Sequence, residues 1–292
     1  MIRGADELQV RKSFDMIDLV IKIGSMALIR REDNDIDYNI FSRLASQLRP
    51  GMILISSGAT EIGRVDYIKR NGQELYGDPE QCKTDYSAQG QAILMEMYRR
   101  FTRPEYSVRQ VLVEHNHFND PVKRQHLHDL LDRAAKQHAI PVINYNDCVS
   151  DEENRKMELL DLHNKHPEEQ IVECVDNDET AAVISELMRS GRLILLTSVD
   201  GIFLDPADPG SLVSTVCEKT PEALTDSIRR LQEHCHGASR KGANGARAKL
   251  EYALRCALNG TEVIIGSPRY SISALIHREA PCTRILLSRD GR

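Results

Sequence analysis

No apolar run in this chain approaches the roughly 20 residues that a membrane helix needs, so no membrane partner is expected. The first residues, MIRGADELQVRKS, mix both signs of charge and have no apolar secretory core. Signs of cysteine pairing are missing as well. The seven cysteines form no CxxC pair and their number is odd, which predicts reduced, unpaired thiols. Together these absences point to the cytoplasm. Nor is there an excess of positive charge: the formal net charge is −6, which argues against nonspecific nucleic-acid binding. Two phosphate-binding signatures are also absent, since no GxxxxGK[ST] occurs and no GxGxxG follows a strand-like run. A bound nucleotide would need another loop design. Three HxH pairs, His115/His117, His126/His128 and His234/His236, raise a metal site as an alternative to a solvated surface. In a strand each pair would share one face, but no acidic or cysteine ligand stands at clear zinc spacing around them, and no metal site is predicted.

What is present is an ordinary globular composition, 41% hydrophobic and 28% charged, on 292 residues. That length suits one large α/β domain or two smaller ones, each with a sizeable core. Apolar runs at 18–23 (DLVIKI), 52–56 (MILIS), 108–114, 140–147 (IPVINYND), 171–175 (IVECV), 192–201 (RLILLTSVDG) and 261–266 (TEVIIG) read as strands. Helical spacing recurs between them, around 36–48, 87–101, 125–138, 179–190, 221–233 and 246–259. The polar segment 150–170 reads as a solvated loop or flap. Strands alternating with helices predict an α/β fold with a mostly parallel sheet covered on both faces.

In such sheets ligands sit beyond the carboxyl ends of the strands. Gly24-Ser25, Ser57-Gly58, Asn144–Asp147 and Thr197–Gly201 all fall at such ends. Any one cluster is explained equally well by turn formation, but four of them suggest one shared site. Lys22 lies inside an apolar strand beside a glycine turn, where an ammonium group needs a partner or an anion. Lys249 lies one turn into a helix that follows GANG, and a helix start already favours anions. Arg240, Lys241 and Arg247 add positive charge to that loop. Two lysines flanking a phosphoryl group in transfer would stabilise the charge that spreads over its oxygens. The stretch DNDETAA, 176–182, offers more carboxylate and amide than one helix cap requires. Asp178 is the candidate to hold both lysines, with Asn144, Asp147 and Asn177 reading the polar end of a small substrate.

The ordered motifs VIKIGS, SSGA, QGQAILM, PVINYNDCV, DNDETAA, LLTSVDGIF and GANGARAKL resemble the amino-acid kinase family, and within it the glutamate 5-kinase branch. The likeness runs from about residue 18 to residue 268. It implies a three-layer αβα sandwich in one domain over 1–292, with an acceptor-binding part at about 15–190 and a nucleotide-binding part at about 191–292. No RNA-binding-type accessory domain is expected after the kinase part. The resemblance also implies ATP and Mg²⁺, with the ion held through the ATP phosphates, and a homo-oligomer, dimeric or tetrameric.

Carried over by position, the resemblance makes Lys22, Asp178 and Lys249 catalytic. Gly24, Ser25, Ser57, Gly58, Asn144, Asp147 and Asn177 bind substrate. Lys22, Thr197, Ser198, Asp200, Ala243, Asn244, Gly245 and Lys249 meet the nucleotide. The chain departs from the family pattern in the nucleotide loop, where GANGARAKL stands for GTGGMxTKL with Asn244 for its second glycine, at Ser198 for an aspartate, at Tyr145 for a glutamate, and in a longer segment at 150–170. The activity implied is transfer of the ATP γ-phosphoryl to glutamate. The alternatives are another acid, a carbamate or UMP as acceptor, or a non-catalytic protein that binds a nucleotide or oxyanion.

Overall fold

The computed structural model describes residues 16–30, 32–150, 152–168, 171–174, 176–234 and 245–288. In chain order it places β1 Leu19–Ile23, β2 Ile29–Arg30, β3 Asp35–Ile36, α1 Tyr38–Ala45, β4 Met52–Ser56, α2 Ala59–Asn71 and α3 Pro79–Phe101. There follow β5 Ser107–Val113, α4 Asn116–Asn119, α5 Pro121–Lys136, β6 Ala139–Tyr145, α6 Glu152–Lys165, α7 Asn177–Met188 and β7 Arg192–Leu196. The remainder is β8 Thr215–Glu218, α8 Pro221–His234, α9 Gly245–Leu258, β9 Glu262–Gly266, α10 Ile272–Ile276 and β10 Cys282–Leu287.

Eight strands form one sheet in the order β5-β6-β4-β1-β7-β9-β10-β8. Strands β5, β6, β4, β1, β7 and β9 run parallel; β10 turns antiparallel to β9, and β8 follows β10. All five residues of β1 are buried, as a central strand covered on both faces requires. Its alternation divides the core. Leu19, Ile21 and Ile23 face one apolar layer with Phe41, Ile62, Leu94 and Leu275, drawn from α1, α2, α3 and α10. Val20 faces the other layer, with Leu131, Ile184, Ile228 and Leu250 from α5, α7, α8 and α9. The arrangement is the expected αβα sandwich.

Two expectations are corrected. Residues 152–165 form a helix, not a loop. The segment is rich in Glu, Lys, Leu and Met, all good helix formers, with an i,i+4 ion pair between Asp161 and Lys165 at 2.6 Å. It reads as polar because little of it is covered; Leu159 is buried while Met157 and Leu160 stand exposed. Residues 171–174 are not a strand. The backbone of Val172 pairs with a side chain instead: its N–H donates to Asn119 Oδ1 at 2.9 Å and its carbonyl accepts from Asn119 Nδ2 at 2.8 Å. Cys174 then takes φ 52°, which ends extended pairing. Helices α2, α4 and α10, the short strands β2 and β3, and strands β8 and β10 have no counterpart among the sequence expectations.

Candidate active site

Strands β1, β4 and β6 end on the same edge of the sheet, and α7 starts above it. Asp176 caps α7: its carboxylate accepts from the backbone N–H groups of Asp178 and Glu179 at 2.8 and 2.9 Å. That cap fixes Asp178 in the first helical turn, directly above β1. Lys22 Nζ lies 2.8 Å from Asp178 Oδ1 as an ion pair. Lys249 Nζ, from the first turns of α9, lies 2.5 Å from Asp178 Oδ2. The three side chains are 11, 14 and 13% exposed for Lys22, Lys249 and Asp178, so all three are withdrawn from bulk water. Burial opposes ionisation of Asp178, yet the two ammonium groups outweigh it and hold the carboxyl well below the usual carboxylate range. One carboxylate thus anchors two cations that repel one another, and the group carries net positive charge.

Gly24 sits beside this group, with the position of a Cβ there 3.8 Å from Lys22 Nζ. Ser25 opens a 3-10 turn just after it. Next to the triad lies a cavity of about 310 Å³ lined by Ser25, Ser57, Gly58, Ala59, Thr60, Glu61, Lys83, Asn144, Asp147 and Asn177. Gly58 adopts φ +109° at the start of α2, a conformation that favours glycine, and it turns the chain sharply out of β4 along the cavity rim.

The amides of the cavity form a chain. Asn177 Nδ2 donates to Ser57 Oγ at 2.8 Å and to Asn144 Oδ1 at 3.1 Å. Asn144 Nδ2 donates to Gln91 Oε1 at 2.9 Å, and Gln91 Nε2 to Gln110 Oε1 at 3.4 Å. Asn144, 2% exposed, is therefore spent on its neighbours. Asn177 Oδ1 is buried and has no hydrogen-bond partner among the described residues. Asp147 makes no hydrogen bond or ion pair among the described residues; burial raises its carboxyl above the ordinary range, although Lys83 and Arg155 pull it back.

Of the expected site residues, the structure brings Lys22, Asp178 and Lys249 together, and Ser25, Ser57, Gly58, Asn144, Asp147 and Asn177 around one cavity. Thr197 leaves β7 with its N–H donated to the Gly266 carbonyl at 2.8 Å, and Ser198 is exposed on the same loop. Asp200 is taken by Arg269. Gly245 begins α9, whereas Ala243, Asn244, Arg240 and Lys241 lie outside the described residues. Thr60, Glu61, Lys83 and Gln91 were missed. The buried stripe of α3 at Leu94, Gln91, Gly90 and Ser87, extended one turn back, reaches Lys83, so helical periodicity held that signal.

The metal alternative loses its premise. His115, His117, His126 and His128 lie on or at the start of helices, where residues two apart do not share a face. His115 faces Glu158 at 3.1 Å and His128 faces Asp129 at 3.1 Å. His234 ends α8, and His236 lies outside the described residues. No group of three or more potential ligands gathers among the described residues.

Residues 19–267 match the amino acid kinase family. Relatives include the glutamate 5-kinase of Gloeobacter violaceus, 30% identical over 291 residues, taking in 94% of this chain and 70% of that protein. The delta-1-pyrroline-5-carboxylate synthase of Mesembryanthemum crystallinum is 28% identical over 293 residues; the match takes in 95% of this chain but only 38% of the synthase. In architecture the chain is similar to a carbamate kinase from Giardia lamblia, with a TM-score of 0.59 at 14% identity over 94% of this chain and 100% of that one. The described helices include none long and apolar enough to cross a membrane. Matched over most of its length and folded in the same architecture, the chain belongs to the amino acid kinase family.

Proposed function

We propose that the protein transfers the γ-phosphoryl group of ATP to the side-chain carboxylate of glutamate, giving an acyl phosphate. The observation that carries this reading is the buried Lys22–Asp178–Lys249 group beside a polar cavity lined by both the Asp147 carboxylate and the Lys83 ammonium group. An oxygen of the acceptor carboxylate forms the new bond to the γ-phosphorus. The bond from that phosphorus to the β,γ-bridging oxygen breaks, and its electron pair leaves with ADP. Negative charge spreads over the peripheral oxygens in transit, and two ammonium groups prepositioned by one carboxylate stabilise it without reorganising. A carboxylate nucleophile is already ionised at neutral pH, so no general base is required. Asp178, the carboxylate nearest the lysines, is occupied by them and is not free to take a proton.

The cavity supports an amino acid over the other acceptors of this fold. The Asp147 carboxylate in the cavity lining suits an ammonium group and disfavours a phosphate or a nucleotide monoester. Mg²⁺ is expected to accompany the nucleotide. The described residues do not fit a cation held by the protein, because Asp178 is engaged and no other ligand set converges. The ion would be held by phosphate oxygens, and no step here passes through it.

The test is ATP turnover with glutamate, aspartate, N-acetylglutamate, carbamate and UMP, with hydroxylamine present to trap an acyl phosphate. Hydroxamate with glutamate and not with the others is expected. ADP formation with UMP and no hydroxamate would contradict the reading.

A further inference from the structure

Lys83 is the one basic side chain among the described residues that line the acceptor cavity. It comes from α3, whereas Asp147 and Asn177 come from the end of β6 and the start of α7. The cavity therefore carries one positive side chain, Lys83, and two acidic ones, Glu61 and Asp147. Lys83 and Asp147 line the same cavity without an ion pair within 4.0 Å, and the Lys83 charge still favours ionisation of Asp147. The contact that Lys83 does make is with Glu80, one turn earlier at 3.2 Å, with both side chains more than 40% exposed. Such a solvated i,i+3 pair yields easily to a better partner. Arg155 approaches the same carboxylate from α6, but its guanidinium is committed elsewhere: it donates to the Cys174 carbonyl at 3.3 Å and lies 5.7 Å from the centre of the Tyr145 ring.

We propose that Lys83 binds a second carboxylate of the acceptor, the one not phosphorylated, and so sets the preference for a dicarboxylic amino acid. The inference rests on the functional reading above. A reacting carboxylate lies at the Lys22–Asp178–Lys249 end. The ammonium group is held at Asp147, and the remaining carboxylate lies against Lys83. Three charges of the ligand then meet three complementary places on separate elements, a geometry that also distinguishes glutamate from shorter or uncharged relatives.

γ-Aminobutyrate is glutamate without that second carboxylate, so it isolates the contact. The experiment measures kcat and KM of the wild type, Lys83→Ala and Lys83→Arg for both acceptors, by hydroxamate trapping. For Lys83→Ala the glutamate KM is expected to rise about tenfold or more with kcat changing less than about threefold, the loss of one charge-assisted contact. The preference for glutamate over γ-aminobutyrate, in kcat/KM, should fall by the same factor, and Lys83→Arg should restore most of it. Lys83 is half-exposed, so a folding failure is not expected, and an unaltered melting temperature checks that. A Lys83→Ala enzyme that keeps the wild-type preference overturns the assignment and leaves the functional reading standing. A wild type that forms no hydroxamate with glutamate overturns both.

Discussion

Four consecutive residues at the start of α7 divide four tasks. Asp176 caps the helix, Asn177 bridges Ser57 and Asn144, Asp178 holds two lysines, and Glu179 accepts from the backbone of Glu173 at 3.2 Å. The DNDE stretch is dense because each side chain has a different partner. Asp178→Asn removes the charge that separates Lys22 from Lys249 while keeping the shape. Turnover is expected to fall by about 10²–10³, as for loss of a prepositioned electrostatic group. Stability is expected to fall by about 3 kcal/mol, because two buried ammonium groups lose their counter-charge; a urea melt measures it. A variant with near-normal turnover would remove Asp178 from the mechanism. Its folded-state carboxyl is depressed, so its contribution to stability is present above the unfolded value and is lost as pH falls through the folded one.

Asp147 behaves in the opposite sense. Burial raises its carboxyl, so it takes up a proton at a higher pH than an ordinary aspartate. Only the ionised form attracts an ammonium group. The acceptor KM is therefore expected to climb as pH falls, starting above the ordinary carboxyl range of about 4. In Lys83→Ala the climb should begin at still higher pH, because a cation that favours ionisation is gone. In Asp147→Asn the KM should be high throughout, with this inflection missing. An Asp147→Asn profile that keeps the inflection would assign it to another group.

At the scale of elements, the acceptor cavity depends on how closely α2 lies against α3. A Cβ at Gly90 would stand 1.8 Å from the Ala59 carbonyl oxygen, and one at Gly63 would stand 1.8 Å from the Tyr86 carbonyl oxygen. Both obstacles are backbone, so the helices themselves must separate. Gly90→Ala is expected to cost about 1–3 kcal/mol by overpacking. It should also raise the acceptor KM more than the ATP KM, since α2 carries Ala59 and Thr60 to the cavity and α3 carries Lys83. An equal effect on both constants would detach the helix pair from the acceptor site.

The same elements explain what was legible in the sequence. Strands β1, β4, β6, β7 and β9 are apolar runs because they are buried in the sheet, and the polar carboxyl ends of β1, β4 and β6 mark the cavity, whereas that of β7 does not line it. Helix α2 was not legible: it packs through a glycine, so apolar periodicity is weak along ATEIGRVDYIKRN. Helix α6 was mistaken for a loop because composition reports exposure, whereas helix formation here follows from local propensity. Gln91 lay within a motif already singled out, but its hydrogen bond to Asn144 crosses 53 residues and leaves no local trace.

Across the whole molecule, β1 is the pivot of the sheet. Its neighbours β4 and β7 lead to opposite halves, toward β6 and β5 on one side and toward β9, β10 and β8 on the other. Lys22 stands on that pivot, Asp178 on a helix that begins above it, and Lys249 on α9 from the other half. The two lysines are separated by most of the chain and meet at one carboxylate only when both halves are folded, and under the proposed function this seam beside the cavity is where the phosphoryl group passes.

The central claim is that a carboxylate oxygen of glutamate bonds to the γ-phosphorus of ATP at that seam. Glutamate labelled with ¹⁸O in its side-chain carboxylate tests it, with unlabelled ATP and water, hydroxylamine as trap, and mass analysis of the released phosphate. Hydroxylamine displaces phosphate at the carbonyl carbon, so phosphate carrying one ¹⁸O is the predicted result. Unlabelled phosphate formed alongside ADP would mean that water, not the amino acid, receives the phosphoryl group, and would contradict the account.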